Sequence, residues 1–181
     1  KQWLAFLADK FGQSAPEVTP ARLDGVTAAN VDRPVLDAMA VAEDRAGFAI
    51  EVLAARGQTA GATLALSDMH KTAGQQLANG NFDDSGAQSS SSGQSDPRQK
   101  VYAIDQLLAN PTTIADKASG QTVPTAAAIE MDCARAQIKA VTESKSSTES
   151  DTLLILAALA AKHAYTAFQL GYPATDATLF E

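Results

Sequence analysis

The chain has 181 residues and one cysteine, which is enough length for a domain with a buried core and too little cysteine for a disulfide scaffold. Its net charge is −7 and its basic residues are scattered singly, which argues against a nucleic-acid face or binding to an anionic membrane surface. About one residue in five is alanine, the strongest helix former, so the composition favours packed helices over a sheet. We therefore predict a single all-α domain over residues 1–181, with no nucleic-acid partner.

The first predicted element is a short amphipathic helix at residues 1–12. Its bulky apolar side chains fall on one stripe at helical spacing, and Gly12 is suited to end it. A second short helix is predicted to begin at Thr19 and Pro20, which have the order of an N-cap and a first helical residue. The stripe of the first helix consists of Trp3, Leu4, Leu7 and Phe11.

The first long helix is predicted between Asp32 and Gly57. Asp32 can cap the first turn, Pro34 is tolerated within it, and Gly57 is suited to follow the last helical residue, Arg56. The apolar positions keep a helical period along the whole segment, which indicates a buried face. They include Val35, Leu36, Met39, Ala42, Ala46, Ile50 and Leu53.

A second helix is predicted at residues 60–78, followed by a Gly- and Ser-rich loop at residues 79–95. Gly61 and Gly74 each cost a helix about 1 kcal/mol relative to alanine, so we expect this helix to pack loosely or to end early. The loop has no hydrophobic period and cannot offset its ordering entropy through burial. We therefore predict that it is extended or mobile.

A shorter helix is predicted from Asp96 and Pro97 to Asn110, where Pro111 stops it, and a minor turn follows at residues 112–119. No stretch shows the alternation of polar and apolar residues that is typical of a strand. The side of this helix expected to be buried carries Val101, Ile104 and Leu108.

Two long helices come last, at about residues 124–142 and 150–170. The former has two adjacent apolar stripes, which indicate a broad buried face. Residues 153–161 of the latter are almost all apolar, so we expect this helix at the centre of the core. That run is too short to span a membrane, which takes about 20 residues. The predicted fold is an alanine-rich bundle of about four long helices with short accessory helices.

Few residues are suited to catalysis or metal binding. Di-iron carboxylate bundles use two Glu-x-x-His pairs and further inward glutamates, and no such pair occurs here. Asp68 and His70 would point about 200° apart on a helix, which makes a poor metal pair, so we interpret His70 as a surface residue. His163 follows the apolar run and is interpreted as a partly buried, hydrogen-bonded residue.

The remaining reactive side chains also have structural interpretations. Cys133 lies on an apolar stripe, where thiols are commonly buried and inert. The carboxylate groupings are interpreted as solvated helix faces and a polar loop, and no phosphate-binding glycine motif or nucleophile elbow is present. We therefore predict no catalytic, cofactor or metal site. The groupings are Glu43 with Asp44, Asp83 with Asp84, and Glu130 with Asp132.

In the absence of a recognised site, we predict a non-enzymatic structural or assembly subunit that packs into a homo-oligomer or a larger particle. Alanine-rich helices make a thin core, which leaves the bulky residues near both ends and the apolar end of the tail at residues 172–181 to pack on neighbours. On architecture alone, this outline resembles the small helical connector subunits of tailed phages. The predicted interaction residues are Trp3, Phe6, Leu7, Phe11, Leu179 and Phe180.

Two alternatives stay open. One is a secreted or periplasmic binding module that holds a peptide or an apolar ligand in a groove between helices. The other is an enzyme with an unrecognised site, for which His163 and Cys133 would be the first residues to substitute. A mass measurement in solution separates the assembly role from that of a monomeric binding module.

Overall fold

A computed structural model of the chain describes residues 12, 23, 26, 31–79, 96–143 and 150–174. The described part is mostly helical, which confirms the predicted all-α class. Its helices are α1 (Arg33–Arg56), α2 (Leu64–Asn79), α3 (Asp105–Ala109), α4 (Thr125–Thr142) and α5 (Ser150–Gln169), and its strands are β1 (Thr113–Ala115) and β2 (Thr122–Pro124). The predictions for the first helix, the Gly- and Ser-rich loop and the end of the tail lie outside the described residues, as do Trp3, Phe6, Leu7, Phe11, Leu179 and Phe180.

Helix α1 begins and ends where the sequence predicts. The carbonyl oxygen of Asp32 accepts the first backbone hydrogen bonds, and Pro34 lies in the first turn. Gly57 follows Arg56 with a φ of 66°, a left-handed conformation that glycine adopts without steric cost. The side chain of Asp32 makes no capping hydrogen bond, so its backbone carbonyl and Pro34 define the start of the helix and Gly57 defines its end.

Helix α2 packs closely on α1, so the expectation of loose packing is wrong. A methyl group added to Gly74 would lie 3.2 Å from the carbonyl oxygen of Ala40 and 3.3 Å from the backbone nitrogen of Asp44. A methyl group on Gly47 would lie 3.1 Å from the carbonyl oxygen of Ser67. The glycine that weakens the helix propensity of α2 is thus one of the two that let the helices approach.

The segment before α4 differs from its prediction. Residues 97–104 are not helical, and only the short α3 follows them. Tyr102 is buried and its hydroxyl donates to Asp44, whereas Val101 is exposed. The tertiary contact of one aromatic residue therefore outweighs the helix-start pattern at Asp96 and Pro97.

A short antiparallel hairpin stands where a minor turn was predicted. Strands β1 and β2 pair with Ile114 opposite Val123. Each strand has three residues, which is too short for polar and apolar alternation to become recognisable. Val123 is fully buried and joins the hairpin to the core.

The four long helices form the bundle, with α2 packed on α1, α1 on α4, and α4 on α5. Apolar clusters fill both ends of it: Leu36, Met39, Leu77 and Leu156 at one end, and Ile50, Leu53, Met131 and Phe168 at the other. Helix α5 is less central than predicted, since Leu154 is 65% exposed. Within the described ranges, no helix is both long enough and apolar enough to cross a membrane.

Candidate functional site

Four ionisable side chains meet in the middle of the bundle, one from each long helix. Glu43 of α1 and Glu130 of α4 are 0% exposed, His70 of α2 is 1% exposed, and His163 of α5 is 7% exposed. Each histidine contacts both glutamates and each glutamate contacts both histidines. We call these four residues the His–Glu ring, because their hydrogen bonds close a cycle.

The two imidazoles of the His–Glu ring are stacked, with centroids 4.6 Å apart and planes 11° from parallel. On one side of the stack, Nδ1 of His70 and Nε2 of His163 lie 2.6 and 2.8 Å from the two carboxylate oxygens of Glu43. On the other side, Nε2 of His70 and Nδ1 of His163 both lie 2.8 Å from the oxygens of Glu130. The stack therefore has a Glu43 side and a Glu130 side.

The charges of the His–Glu ring stabilise one another. Burial alone would lower the pKa of His163, but the charge of Glu43 and the hydrogen bonds that His163 donates to both glutamates raise this pKa to about 10. The pKa of His70 is also raised well above 6.5. Burial likewise opposes ionisation of the carboxyl groups, yet the histidines lower the pKa of Glu130 to about 2 and hold that of Glu43 below its usual range.

The protonation state of the ring follows from its hydrogen bonds. An ionised carboxylate only accepts hydrogen bonds, so all four imidazole nitrogens must donate. Both imidazoles are therefore doubly protonated when the ring is closed. Two positive and two negative charges then cancel, which is the condition for burying them together.

Two more side chains of α4 touch the ring on the Glu43 side. Nε2 of Gln137 donates to Glu43 and, at 3.6 Å, to the sulfur of Cys133. Cys133 is buried, as predicted, and burial raises the pKa of its thiol to about 12. One possible metal-ligand atom from each of Glu43, His70, Cys133 and His163 lies within 4.8 Å of the other three. The Glu43 side thus gathers nitrogen, oxygen and sulfur ligands.

Close helix packing puts Glu43 and His70 next to each other. A methyl group added to Gly47 would lie 3.2 Å from Cβ of His70, and one added to Gly74 would lie 3.3 Å from Cβ of Glu43. Each glycine comes four residues after the ring residue on its own helix, and so lies one turn along the same face. The repeated spacing of an ionisable residue and a glycine is a sequence feature that could have indicated this contact.

A cavity of about 470 Å³ borders the ring on its Glu130 side. Its lining includes His70, Glu130 and His163 but not Glu43. Apolar residues of α2 and α5 form much of the remaining wall, and Asp68 and Lys162 also contribute to it. The two sides of the ring therefore differ, because the Glu130 side adjoins open space.

The structure corrects the interpretations of three residues and, besides that of Cys133, confirms that of His163. His70 is not on the surface, and Glu43 and Glu130 are not on solvated helix faces, since all three are among the most buried of the described residues. His163 is buried and hydrogen-bonded, as predicted. The errors arose because each residue was compared only with neighbours on its own helix, such as Asp68, whereas its partners lie on other helices.

The His–Glu ring matches part of the ligand set of di-iron carboxylate bundles. Those bundles take a glutamate from each of two helices and a Glu-x-x-His pair from each of the other two. Here α1 and α4 supply the glutamates and α2 and α5 the histidines, but the residues three positions before the histidines are Ser67 and Ala160. Two of the six ligand positions therefore lack a carboxylate. The sequence therefore contains no complete Glu-x-x-His pair, although two glutamates and two histidines meet in the folded chain.

Comparisons of the chain with protein-family models, with curated proteins and with solved structures gave no match.

Proposed function

We propose that the protein binds one divalent transition-metal ion at the His–Glu ring. The observation that carries this proposal is the convergence of two imidazoles and two carboxylates, from four helices, at one buried point. Imidazole and carboxylate are the ligands that zinc, iron and related ions use in proteins. A helical bundle also supplies such sites from inward side chains of facing helices.

The charge of the site favours one ion over two. Glu43 and Glu130 provide two negative charges, and Cys133 can add a third as a thiolate. Two divalent ions would bring four positive charges into the bundle interior, where uncompensated charge is costly. In the di-iron bundles the two additional carboxylates compensate the second ion, and Ser67 and Ala160 occupy those positions here.

The ring needs only a small expansion to hold an ion. The hydrogen-bonded nitrogen and oxygen atoms are 2.6–2.8 Å apart. Around a tetrahedral ion with bonds of about 2.1 Å, neighbouring ligand atoms are roughly 3.4 Å apart. The difference is about 0.6–0.8 Å, and the two imidazoles, whose planes are 11° from parallel, would also have to rotate so that one nitrogen of each faces the ion.

Metal titration of the full chain tests this proposal. After removal of bound metal with a chelator, we expect the protein to bind one equivalent of Zn²⁺, with a rise in its thermal midpoint, because an ion that binds only the folded state stabilises it. Equilibrium dialysis with elemental analysis measures the stoichiometry. No bound ion and an unchanged midpoint would contradict the proposal, and two ions per chain would contradict the charge argument.

A pair of matched variants tests whether the ion binds at the His–Glu ring. Glu43→Gln removes a ring carboxylate and should lower the affinity for Zn²⁺ at least 10-fold. Glu51→Gln makes the same change on α1 at a partly exposed residue that pairs with Lys71, and should leave the affinity unchanged. Circular dichroism checks that both variants keep their helices. Equal affinities in the two variants would place the ion elsewhere.

We also propose, as a second candidate, assembly into a homo-oligomer or a larger particle. Several large apolar side chains are exposed in the described structure, and such side chains mark a protein interface where they form a contiguous patch. They are Leu64, Met69, Val101, Leu153 and Leu154. Light scattering of the full chain should give a mass well above 18.8 kDa, and Leu154→Lys should reduce it. A chain that stays monomeric at high concentration would contradict this role.

A further inference from the structure

We infer that the ion lies on the Glu43 side of the two histidines, in a site completed by the thiolate of Cys133. Glu130 then acts from the opposite side as an outer carboxylate that orients both imidazoles. This inference rests on the proposed metal binding, and it specifies the four ligands and hence the class of ion.

The Glu43 side holds a complete set of four ligands. Glu43 already contacts Nδ1 of His70 and Nε2 of His163, so an ion between these atoms replaces two hydrogen bonds with coordination bonds. The sulfur of Cys133 lies within 4.8 Å of a ligand atom from each of the three. Two nitrogens, one oxygen and one sulfur match the coordination number of a tetrahedral ion.

The Glu130 side supplies what ligating histidines need from their second nitrogen. A histidine that binds a metal through one nitrogen almost always donates its other N–H to a carboxylate, a carbonyl oxygen or water. Nε2 of His70 and Nδ1 of His163 already donate to the two oxygens of Glu130. One carboxylate would thus hold both histidines in opposite tautomers, with His70 binding through Nδ1 and His163 through Nε2.

The surroundings of Cys133 fit a bound thiolate. As the ion binds, Nδ1 of His70, Nε2 of His163 and the thiol of Cys133 each release one proton to solvent, three in all. Nε2 of Gln137 can still donate to the sulfur and to Glu43. With a divalent ion, two neutral imidazoles, one thiolate and the carboxylates of Glu43 and Glu130, the site carries one negative charge. Zinc sites with three cysteines and one histidine carry the same charge.

This ligand set selects a class of ion. Thiolate and imidazole favour zinc and similar borderline ions over magnesium and manganese, which prefer oxygen ligands. Four protein ligands leave no coordination position for substrate, and such closed sites are typical of structural metals. An ion on the Glu130 side would instead adjoin the cavity and keep a position open.

Cobalt substitution in the full chain tests the assignment. We expect Co²⁺ to give the intense visible bands of a tetrahedral ion and a near-ultraviolet charge-transfer band from sulfur to cobalt. Cys133→Ser should remove the charge-transfer band while one equivalent of Co²⁺ still binds more weakly. Cobalt binding without the band, or a band that survives Cys133→Ser, would overturn the inference and leave the metal-binding proposal standing. No cobalt binding at all would overturn both.

Variants of Glu43 and Glu130 distinguish the carboxylate that binds the ion from the one that only orients the histidines. Glu130→Gln should keep the tetrahedral spectrum and the charge-transfer band with an affinity lowered about 10- to 100-fold, whereas Glu43→Gln should change the spectrum itself. Asp132→Asn, at an exposed position of α4, is the matched control and should change neither. The opposite pattern, in which Glu130→Gln alters the spectrum and Glu43→Gln does not, would place the ion on the cavity side.

X-ray absorption on the unsubstituted protein tests the role of Cys133 without relying on a variant that could misfold. X-ray absorption at the zinc edge should show one sulfur neighbour at about 2.3 Å together with nitrogen and oxygen neighbours at about 2.0–2.1 Å. A zinc-loaded chain with only nitrogen and oxygen neighbours would overturn the role of Cys133 without any substitution.

Discussion

Asp116 is a third buried carboxylate in the described structure, and its partners differ in kind from those of Glu43 and Glu130 in the His–Glu ring. It accepts hydrogen bonds from the backbone of Ala118, from Ser119 and from Tyr172, and it forms an ion pair with Arg135. Burial alone would raise its pKa, but these contacts lower it to about 2. Because the guanidinium of Arg135 cannot lose its proton, this contact is structural. The ring glutamates are paired with imidazoles, whose protons a metal ion can replace.

At the residue scale, the sequence predicts burial better than it predicts partners. The positions of Cys133 and His163 relative to apolar neighbours indicate that both are buried. Glu43 and His70 also lie among apolar residues, but a charged residue in such a place is assigned to the surface unless its partner is known. The partners here are up to 120 positions apart along the chain, so no local pattern shows them.

At the element scale, cap residues and apolar periodicity predict the long helices well. Gly57 ends α1 as expected, and α4 and α5 begin and end within one residue of their predicted bounds. The prediction fails at residues 97–104, where the contact between Tyr102 and Asp44 replaces helix formation. Short elements depend on single tertiary contacts, whereas a long helix averages its propensity over many residues.

Gly74→Ala is the sharpest test of how α1 and α2 approach each other. The added methyl group would meet backbone atoms of α1 and Cβ of Glu43 at 3.2–3.3 Å, so the helices must separate. We expect a net loss of up to roughly 2 kcal/mol in the free energy of unfolding, because an overpacking cost of about 1–3 kcal/mol outweighs the gain of about 1 kcal/mol in helix propensity. Urea denaturation measures this difference.

The matched control for Gly74→Ala is Thr72→Ala, which also raises helix propensity but lies at an exposed position of α2. It should leave the free energy of unfolding unchanged or slightly raise it. If Gly74→Ala is as stable as Thr72→Ala, then α1 and α2 are not held at the separation that the ring requires.

At the scale of the whole molecule, the ring connects folding to the chemistry of the site. Each long helix contributes one ring residue, so the ring forms only when all four are packed. The free energy of metal binding at such a site therefore also stabilises the folded state relative to the unfolded state. The same reasoning explains why sequence analysis reaches the helical class but not the site, since the site exists only after the topology has brought distant residues together.

The metal-free protein should therefore lose stability as the pH rises from neutral to alkaline. The unfolded histidines lose their protons near pH 6.5, whereas the folded state keeps that of His163 up to about pH 10 and that of His70 well above 6.5. The folded state then binds more protons than the unfolded state, so the free energy of unfolding falls by up to about 1 kcal/mol per pH unit for each histidine.

At acid pH the free energy of unfolding falls again, as the pH drops from about 4.5 toward the lowered pKa of about 2 of Glu130. Urea denaturation in the presence of a chelator should thus show maximal stability between about pH 4.5 and 6.5. A metal-free protein that is equally stable at pH 6 and pH 9 would show that the closed ring is not its folded state.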